Sequence, residues 1–257
     1  EVAERRRAEA QIQNLNEQLE QKVTDLLAAY EDMEAFSYSV SHDLRAPLRH
    51  IDGYVGLLEK AAGANLDEKA RRYLATISES AKQMGQLIDD LLVFSRMGRA
   101  EMRDSPVYLD QLVKEVQHEL RHETRGRNIA WTIGSLPPVR GDPAMLRLVL
   151  INLISNAVKF TKTRPLATIE IGSASGRPGE TVIFVRDNGV GFDMQYVEKL
   201  FGVFQRLHPV EEFDGTGIGL ANVRRIIHRH GGRTWAEGAV DVGATFYFSL
   251  PTGMEQA

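Results

Sequence analysis

Within Ser37-Tyr-Ser-Val-Ser-His-Asp-Leu-Arg-Ala-Pro-Leu-Arg49 a histidine, an acid and a proline fall inside six residues. An imidazole of ordinary pKa, about 6.5, is largely the free base at neutral pH, so one ring nitrogen of His42 is a nucleophile. Asp43 can take the proton from the other nitrogen as attack proceeds. Pro47 withholds the N–H that the Asp43 carbonyl would accept, and its ring crowds that carbonyl, which predicts a bend or loosening of the helix beside His42. Helix residues turn by about 100° each, so His42 lies about 200° from both Val40 and Leu44 and is expected to point away from the apolar seam they belong to. A solvated surface histidine beside an incidental kink is the bland alternative, and the pair alone does not exclude it.

More than a hundred residues later, Leu150-Ile-Asn-Leu-Ile-Ser-Asn-Ala-Val-Lys-Phe-Thr161 carries Asn152 and Asn156 four apart, on one helix face among apolar neighbours. Amides in such company need partners. A divalent ion with phosphates would supply them, because an amide oxygen is a hard ligand suited to Mg²⁺, and Lys159 can neutralise phosphate oxygens. The alternative is a buried amide network bonded to backbone. In Asp187-Asn-Gly-Val-Gly191 an aspartate leaves a strand end where it can accept from an exocyclic amine such as adenine's, while Gly189 and Gly191 permit close backbone approach. Gly215, Thr216, Gly217, Gly219 and Leu220, in Gly-Thr-Gly-Ile-Gly-Leu, lead into a helix whose N–H groups favour phosphate. Either glycine cluster alone is weak, since turns use glycine freely. The stretch between them, including His208-Pro-Val-Glu-Glu-Phe-Asp214, suits a mobile lid. His118 and His122 are four apart with Glu115 and Glu119 nearby, but no further ligand set converges, so a solvated helix face is the better reading. His228 and His230 are expected at a helix C-terminus.

These residues need a scaffold in two parts. Ile12, Leu19, Leu26, Met33 and Val40 recur every seven residues, with Leu15, Ala29 and Phe36 in the intervening register, which predicts a parallel coiled coil over 1–35. The apolar pattern continues through Leu44, Leu48, Ile51, Val55 and Leu58 to a turn near 61–65, and a second helix follows with Leu74, Ile77, Ala81, Met84, Ile88 and Leu91 on one face. Two helices cannot bury two such faces, so residues 36–98 are expected to pair with a second copy as a four-helix bundle. A linker is expected at 99–106, where the apolar period lapses between Gly98 and Pro106. Beyond it helices alternate with strands: helices near 109–123, 143–160 and 219–230, and strands near 129–133, 168–172, 181–187, 233–237 and 244–250. The fold class is therefore α+β, a coiled coil and helical hairpin followed by an α/β sandwich over 107–252 with one sheet face covered.

Composition narrows the function. At 257 residues and 43% hydrophobic the chain can build two cores, and a net charge of −4 leaves no general footprint for nucleic acid or an anionic membrane. With no cysteine, thiolate catalysis, disulfides and cysteine-held zinc are excluded. No apolar run approaches the roughly 20 residues of a membrane span. The lack of cysteine leaves the chain indifferent to redox compartment and allows a cytoplasmic location, which is the expectation. The chain opens at Glu1 without methionine and reads as a piece from which a sensor or anchor has been left out.

In combination and order, the histidine box at Ser41 to Leu48, the asparagine box at Asn152 to Thr161, the glycine boxes at Asp187 to Gly191 and Gly215 to Leu220, and Phe201 to Phe204 closely resemble the transmitter core of bacterial sensor histidine kinases. The resemblance covers about Phe36 to Leu250, and the leader helix is similar to those of kinases fed by phytochrome-like sensors. It implies that His42 accepts phosphate and Asp43 its proton, that Asn156 ligates Mg²⁺ and Lys159 contacts phosphate, that Asp187 anchors adenine and that Arg206 reaches the γ-phosphate of ATP. It implies a homodimer whose partner is the receiver domain of a response regulator. Asn152 stands where hydrolytic relatives place a water-activating glutamate, so transfer is expected to outcompete hydrolysis. Ala46 stands where many phosphatase-competent members carry threonine or asparagine, which implies weak phosphatase activity. A gyrase- or chaperone-like conformational ATPase and an inactive dimeric scaffold are the alternatives.

Overall fold

The structure, a computed structural model, describes residues 2–63, 65–96, 102–209 and 212–252; the side chains of 2–4, 7–10, 26–38, 42, 95 and 96 lie outside the description. The chain forms two compact units, divided between Arg96 and Met97.

The first unit is a helical hairpin. Helix α1 runs Val2–Ala62 and α2 Glu68–Arg96. Pro47 lies inside α1, and the helix continues through it: the loosening expected beside His42 does not interrupt the helical backbone. Seam positions Leu26, Ala29, Met33 and Phe36, and the orientation of His42, fall outside the described side chains. Ile12, Leu15, Leu19 and Val23 are exposed.

The hairpin resolves into two apolar ladders of seven-residue period. Ser41 and Val55 on α1, with half-buried Leu48 between them, lie in register with buried Leu74, Ala81 and Ile88 on α2, and these ladders close the hairpin. The pairing is pinned by Ser78, whose hydroxyl donates to the Asp52 carboxylate at 2.7 Å, and by an ion pair between Arg45 and Asp89. The other ladder, Leu44, Ile51 and Leu58 with Ile77 and Met84, is left between 41% and 49% exposed. The stripe expected on α2 is thus split: three of its members face α1, and Ile77 and Met84 do not.

The second unit is an α/β sandwich. Its strands are β1 (Ser105–Val107), β2 (Ile129–Ile133), β3 (Val139–Gly141), β4 (Ala167–Ala174), β5 (Glu180–Asp187), β6 (Thr234–Ala239) and β7 (Gly243–Pro251); its helices are α3 (Leu109–Glu119), α4 (Arg121–Thr124), α5 (Pro143–Phe160) and α6 (Gly219–Arg229). The main sheet has the order β2-β4-β5-β7-β6, with β2 parallel to β4 and the other pairs antiparallel. Ser105 and Pro106, expected in the linker, instead pair with Gly141 and Arg140. Alternation sorts each strand. Ile169, Ile171, Ile183, Val185, Phe246 and Phe248 are buried in the core with Leu146, Leu150, Ile154, Ile226 and Ile227 of α5 and α6. The opposite row carries Phe184, Tyr247 and Trp235 in cross-strand register, the last two rings stacked.

Candidate functional site

The site is built on α5. Asp142 caps it, its Oδ1 accepting from the N–H groups of Ala144 and Met145, and Pro143 occupies the first helical position, where a missing N–H costs nothing. Eight residues from Met145 to Val158 are buried, which explains why this helix alone among those described is long and apolar enough to cross a membrane by composition. What they leave half-exposed is a polar stripe at Asn152, Asn156 and Lys159. Thr161 ends the helix and is itself braced: the Arg127 guanidinium donates to the Val158 carbonyl at 2.7 Å and to the Thr161 hydroxyl at 3.1 Å. A cation there also suits the negative end of the helix.

The two asparagines differ. Asn152 donates its amide to the Leu148 carbonyl at 2.7 Å, and its Oδ1 lies where a Cβ on Gly219 would come within 2.5 Å. Its amide oxygen therefore abuts the start of α6, in the space that Gly219 leaves open. Asn156 makes no hydrogen bond among the described residues, and its amide is open to a ligand. Lys159 places Nζ 4.5 Å from the centre of the Phe160 ring and 3.1 Å from where a Gly215 Cβ would stand. Burial, reinforced by the Arg206 cation and opposed by Asp214, brings its ammonium down to about 8.

Asp187 ends β5 and is 5% exposed. The N–H of Gly189 donates to its Oδ1 at 2.8 Å, and burial pushes its carboxyl up to about 6 against the pull of the Gly189 and Ala244 N–H groups. A Cβ on Gly189 would lie 2.5 Å from the Phe160 carbonyl oxygen, and one on Gly191, whose φ is +63°, would lie 1.9 Å from that of Ala239. Only glycine fits at either place. The start of α6 has no side-chain cap, so its first N–H groups remain available; Gly217 (φ +73°) turns the chain into it. Thr216 is half-buried in that turn, and Leu220 packs its side chain against the core, so only its backbone belongs to the site.

The described residues of the segment expected to form a lid contact one another and Phe160. The Arg206 guanidinium donates to the carbonyls of Phe213 and Gly215, and the rings of Phe160, His208 and Phe213 form a cluster with centroids 5.1 to 5.5 Å apart. Arg206 is thus engaged by the lid's own backbone. Val210 and Glu211 lie outside the described residues. In the helical unit, Asp43 is exposed on α1, and His42 is helical in backbone with its side chain outside the description.

Other histidines take structural or solvated places. His118 and His122 are exposed, and no group of three or more potential metal ligands occurs among the described residues. His230 caps α6 and is buried: Nε2 accepts from the Asp142 N–H at 3.0 Å while Nδ1 faces the Ile226 carbonyl at 2.8 Å. It joins α6 to α5 by hydrogen bonds rather than serving a helix end as a charge.

Three contributors were not singled out in the sequence, although one of them, Asn188, lies inside the first glycine box. Arg127 braces the last turn of α5. The Asn188 side chain bridges to β4, accepting from the Thr168 N–H at 2.8 Å and donating to the Leu166 carbonyl at 3.0 Å. Arg164 reaches the carbonyls of Asn188, Gly189 and Asp241. All act across distant segments, where no local spacing betrays them.

Two family models match: the His Kinase A phospho-acceptor domain over residues 32–100, and the histidine kinase-, DNA gyrase B- and HSP90-like ATPase over 141–254. The chain is 39% identical over 96% of its length to the methanogenesis regulatory histidine kinase FilI of Methanothrix harundinacea, covering 28% of that protein. It is 35% identical over 92% of its length to cyanobacterial phytochrome A of a Nostoc species, covering 31%. The chain therefore spans about three tenths of these relatives. Among solved structures, full-length ShkA in complex with AMPPNP superposes with a TM-score of 0.62 at 30% identity, over 84% of this chain and 45% of that one. The histidine kinase AdeS of Acinetobacter baumannii shares the fold, with a TM-score of 0.58 at 21% identity, over 82% of this chain and 98% of that one.

Proposed function

The chain belongs to the sensor histidine kinases, as their transmitter core, and from that premise we propose that it autophosphorylates His42 from ATP and passes the phosphoryl group to an aspartate on a response-regulator receiver domain. The observation that carries the nucleotide half is electrostatic. In one cradle a carboxyl is pushed up to about 6 and an ammonium brought down to about 8, each by burial. A bound adenine nucleotide relieves both, because an exocyclic amine donates to Asp187 and phosphate oxygens pair with Lys159. The uncapped N–H groups of α6 receive phosphate from a second side.

The donor set also suits Mg²⁺. That ion keeps several waters and takes one or two protein oxygens together with substrate phosphates, and Asn156 offers one free amide oxygen beside Lys159. When bound it neutralises charge on the phosphates. In the transfer, a ring nitrogen of His42 forms a bond to the γ-phosphorus as the bond from that phosphorus to the β-bridging oxygen breaks. ADP leaves with the electron pair, and Asp43 accepts the proton of the other ring nitrogen. Arg206 must exchange its lid carbonyls for the γ-phosphate. Asn152 is neutral and tied to Leu148, so it supplies no base for water, which favours transfer over a hydrolytic, chaperone-like cycle.

The exposed ladder of the hairpin supports a homodimer, with the coil as the segment through which an upstream sensor acts, and use of ATP is consistent with a cytoplasmic location. Incubation with γ-labelled ATP should give an acid-labile, alkali-stable label on the wild type and none on His42→Gln, while both bind ATP equally. A persistent label on His42→Gln, or release of free phosphate without any labelled protein, would overturn the assignment.

A further inference from the structure

Arg164 lies in the loop after α5, half-buried, with its guanidinium spread over three main-chain carbonyls from two loops. Nε donates to Asn188 at 2.8 Å, and one terminal nitrogen donates to Gly189 at 2.9 Å and to Asp241 at 2.6 Å. The first contact matters most. The peptide group joining Asn188 to Gly189 has its oxygen held by Arg164 and its N–H donating to Asp187 Oδ1 at 2.8 Å. One planar unit is gripped at both ends, by the arginine on one side and by the candidate adenine anchor on the other. The next peptide repeats the arrangement: its oxygen, on Gly189, accepts from Arg164, and its N–H, on Val190, donates to the Phe160 carbonyl at 3.2 Å.

We infer that Arg164 is the positioning residue for adenine recognition, setting through the Asn188–Gly189 peptide the direction and basicity of the Asp187 carboxylate. The inference rests on the reading of Asp187 as the adenine anchor. A cation on a peptide oxygen polarises the amide and strengthens its N–H as a donor, which stabilises the ionised carboxylate at the other end. The described groups bearing on this carboxylate are the N–H groups of Gly189 and Ala244, and the charged group nearest to Arg164 is the Asp241 carboxylate at 3.9 Å. A lysine cannot replace the arginine, because a single ammonium on a flexible stem lacks the planar fork that spans carbonyls of two loops.

The test compares wild type, Arg164→Lys and Arg164→Gln in equilibrium binding of ATP and of purine riboside triphosphate, which lacks the 6-amino group, with melting curves to verify folding. Wild type should prefer ATP. Both variants should lose about tenfold in ATP affinity, the worth of one charge-assisted hydrogen bond, with purine riboside triphosphate binding unchanged. The pH at which ATP affinity falls on acidification should move upward in Arg164→Lys, a change that loss of mere structural support would not produce. Equal losses for both nucleotides, or rescue by lysine, would overturn the role of Arg164 while leaving the anchor intact. A wild type that does not distinguish the two nucleotides would overturn the anchor as well, and the inference with it.

Discussion

The two units bury their apolar residues in opposite ways. In the α/β unit, Leu146, Leu150, Ile154, Ile183, Ile226 and Phe248 are wholly enclosed by their own chain, and the cluster runs without a break from β1 to β7. In the hairpin, one heptad ladder is closed and the other lies open, with large side chains at Leu44, Ile51, Leu58, Ile77 and Met84 still in contact with solvent. The sandwich is complete within one chain, and its sites occur where the core is interrupted by polar residues at Asn156, Lys159 and Asp187. The open ladder of the hairpin is the face that the proposed homodimer covers, and His42, the proposed phosphoacceptor, is carried on one of the two helices that form it.

The largest effect that would sharpen this contrast is expected from Ile51→Asp. In a symmetric pair the change occurs twice, each time removing the burial of a large aliphatic group, so dimerisation should weaken by about 3 kcal/mol or more, at least about a hundredfold in Kd. Sedimentation equilibrium measures it. ATP affinity should remain within about twofold of wild type, because the nucleotide cradle belongs to the other unit. An undisturbed dimer would show that the open ladder is not the contact surface, and the contrast between the units would lose its meaning.

A second, opposite effect is expected inside the sandwich. The Asp187 carboxyl titrates at about 6 in the fold against an ordinary 3.8. The folded state therefore holds this proton more tightly than the unfolded chain. The stability this contributes is complete below about pH 4 and is lost as pH rises through 6. A difference of about two pH units, at about 1.36 kcal/mol each, puts the loss at up to about 3 kcal/mol. Asp187→Asn keeps the shape and removes the charge, so the ligand-free unit should melt higher than wild type above pH 6 and show no difference near pH 4, while binding ATP poorly. Melting curves across pH 4 to 8, with and without ATP, separate the two consequences. Equal melting at pH 7 would mean that the buried carboxylate is not strained in the empty cradle.

How much of this was legible in the sequence follows from the range of each interaction. The polar stripe at 152, 156 and 159 was legible because helix periodicity acts locally and leaves a spacing; the glycines at 189, 191 and 219 were legible only as glycine-rich turns, since the groups that crowd them, on Phe160, Ala239 and Asn152, come from distant segments. The open hairpin ladder was legible only as an excess of apolar positions; the division of the α2 stripe between α1 and solvent needed the packing of the two helices. The pairing of Ser105 and Pro106 with β3, the His230–Asp142 bond and the reach of Arg164 to Asp241 join residues between 34 and 88 positions apart, and no periodicity encodes them. Pro47 is a local signal of another kind. The local rule predicted a bend or loosening, and the α1 helix continues through the proline without interruption.

The smallest effect tests the ground beneath the proposed phosphoacceptor. Ser41 is 1% exposed, in the closed ladder one residue before His42, and its hydroxyl has no hydrogen-bond partner among the described residues. A helical serine ordinarily returns its hydroxyl to the carbonyl four residues back, so an unpaired one at a buried position forfeits that compensation and costs about 1 kcal/mol or more. Ser41→Ala should therefore raise the stability of the dimer by about 1 kcal/mol in denaturant unfolding, against the usual direction of core substitutions. If the hydroxyl instead gains a partner when two hairpins meet, the same substitution destabilises the dimer by a similar amount. The sign of this one measurement distinguishes a dry closed ladder, already finished within the hairpin, from one whose polar group is completed only by the second copy.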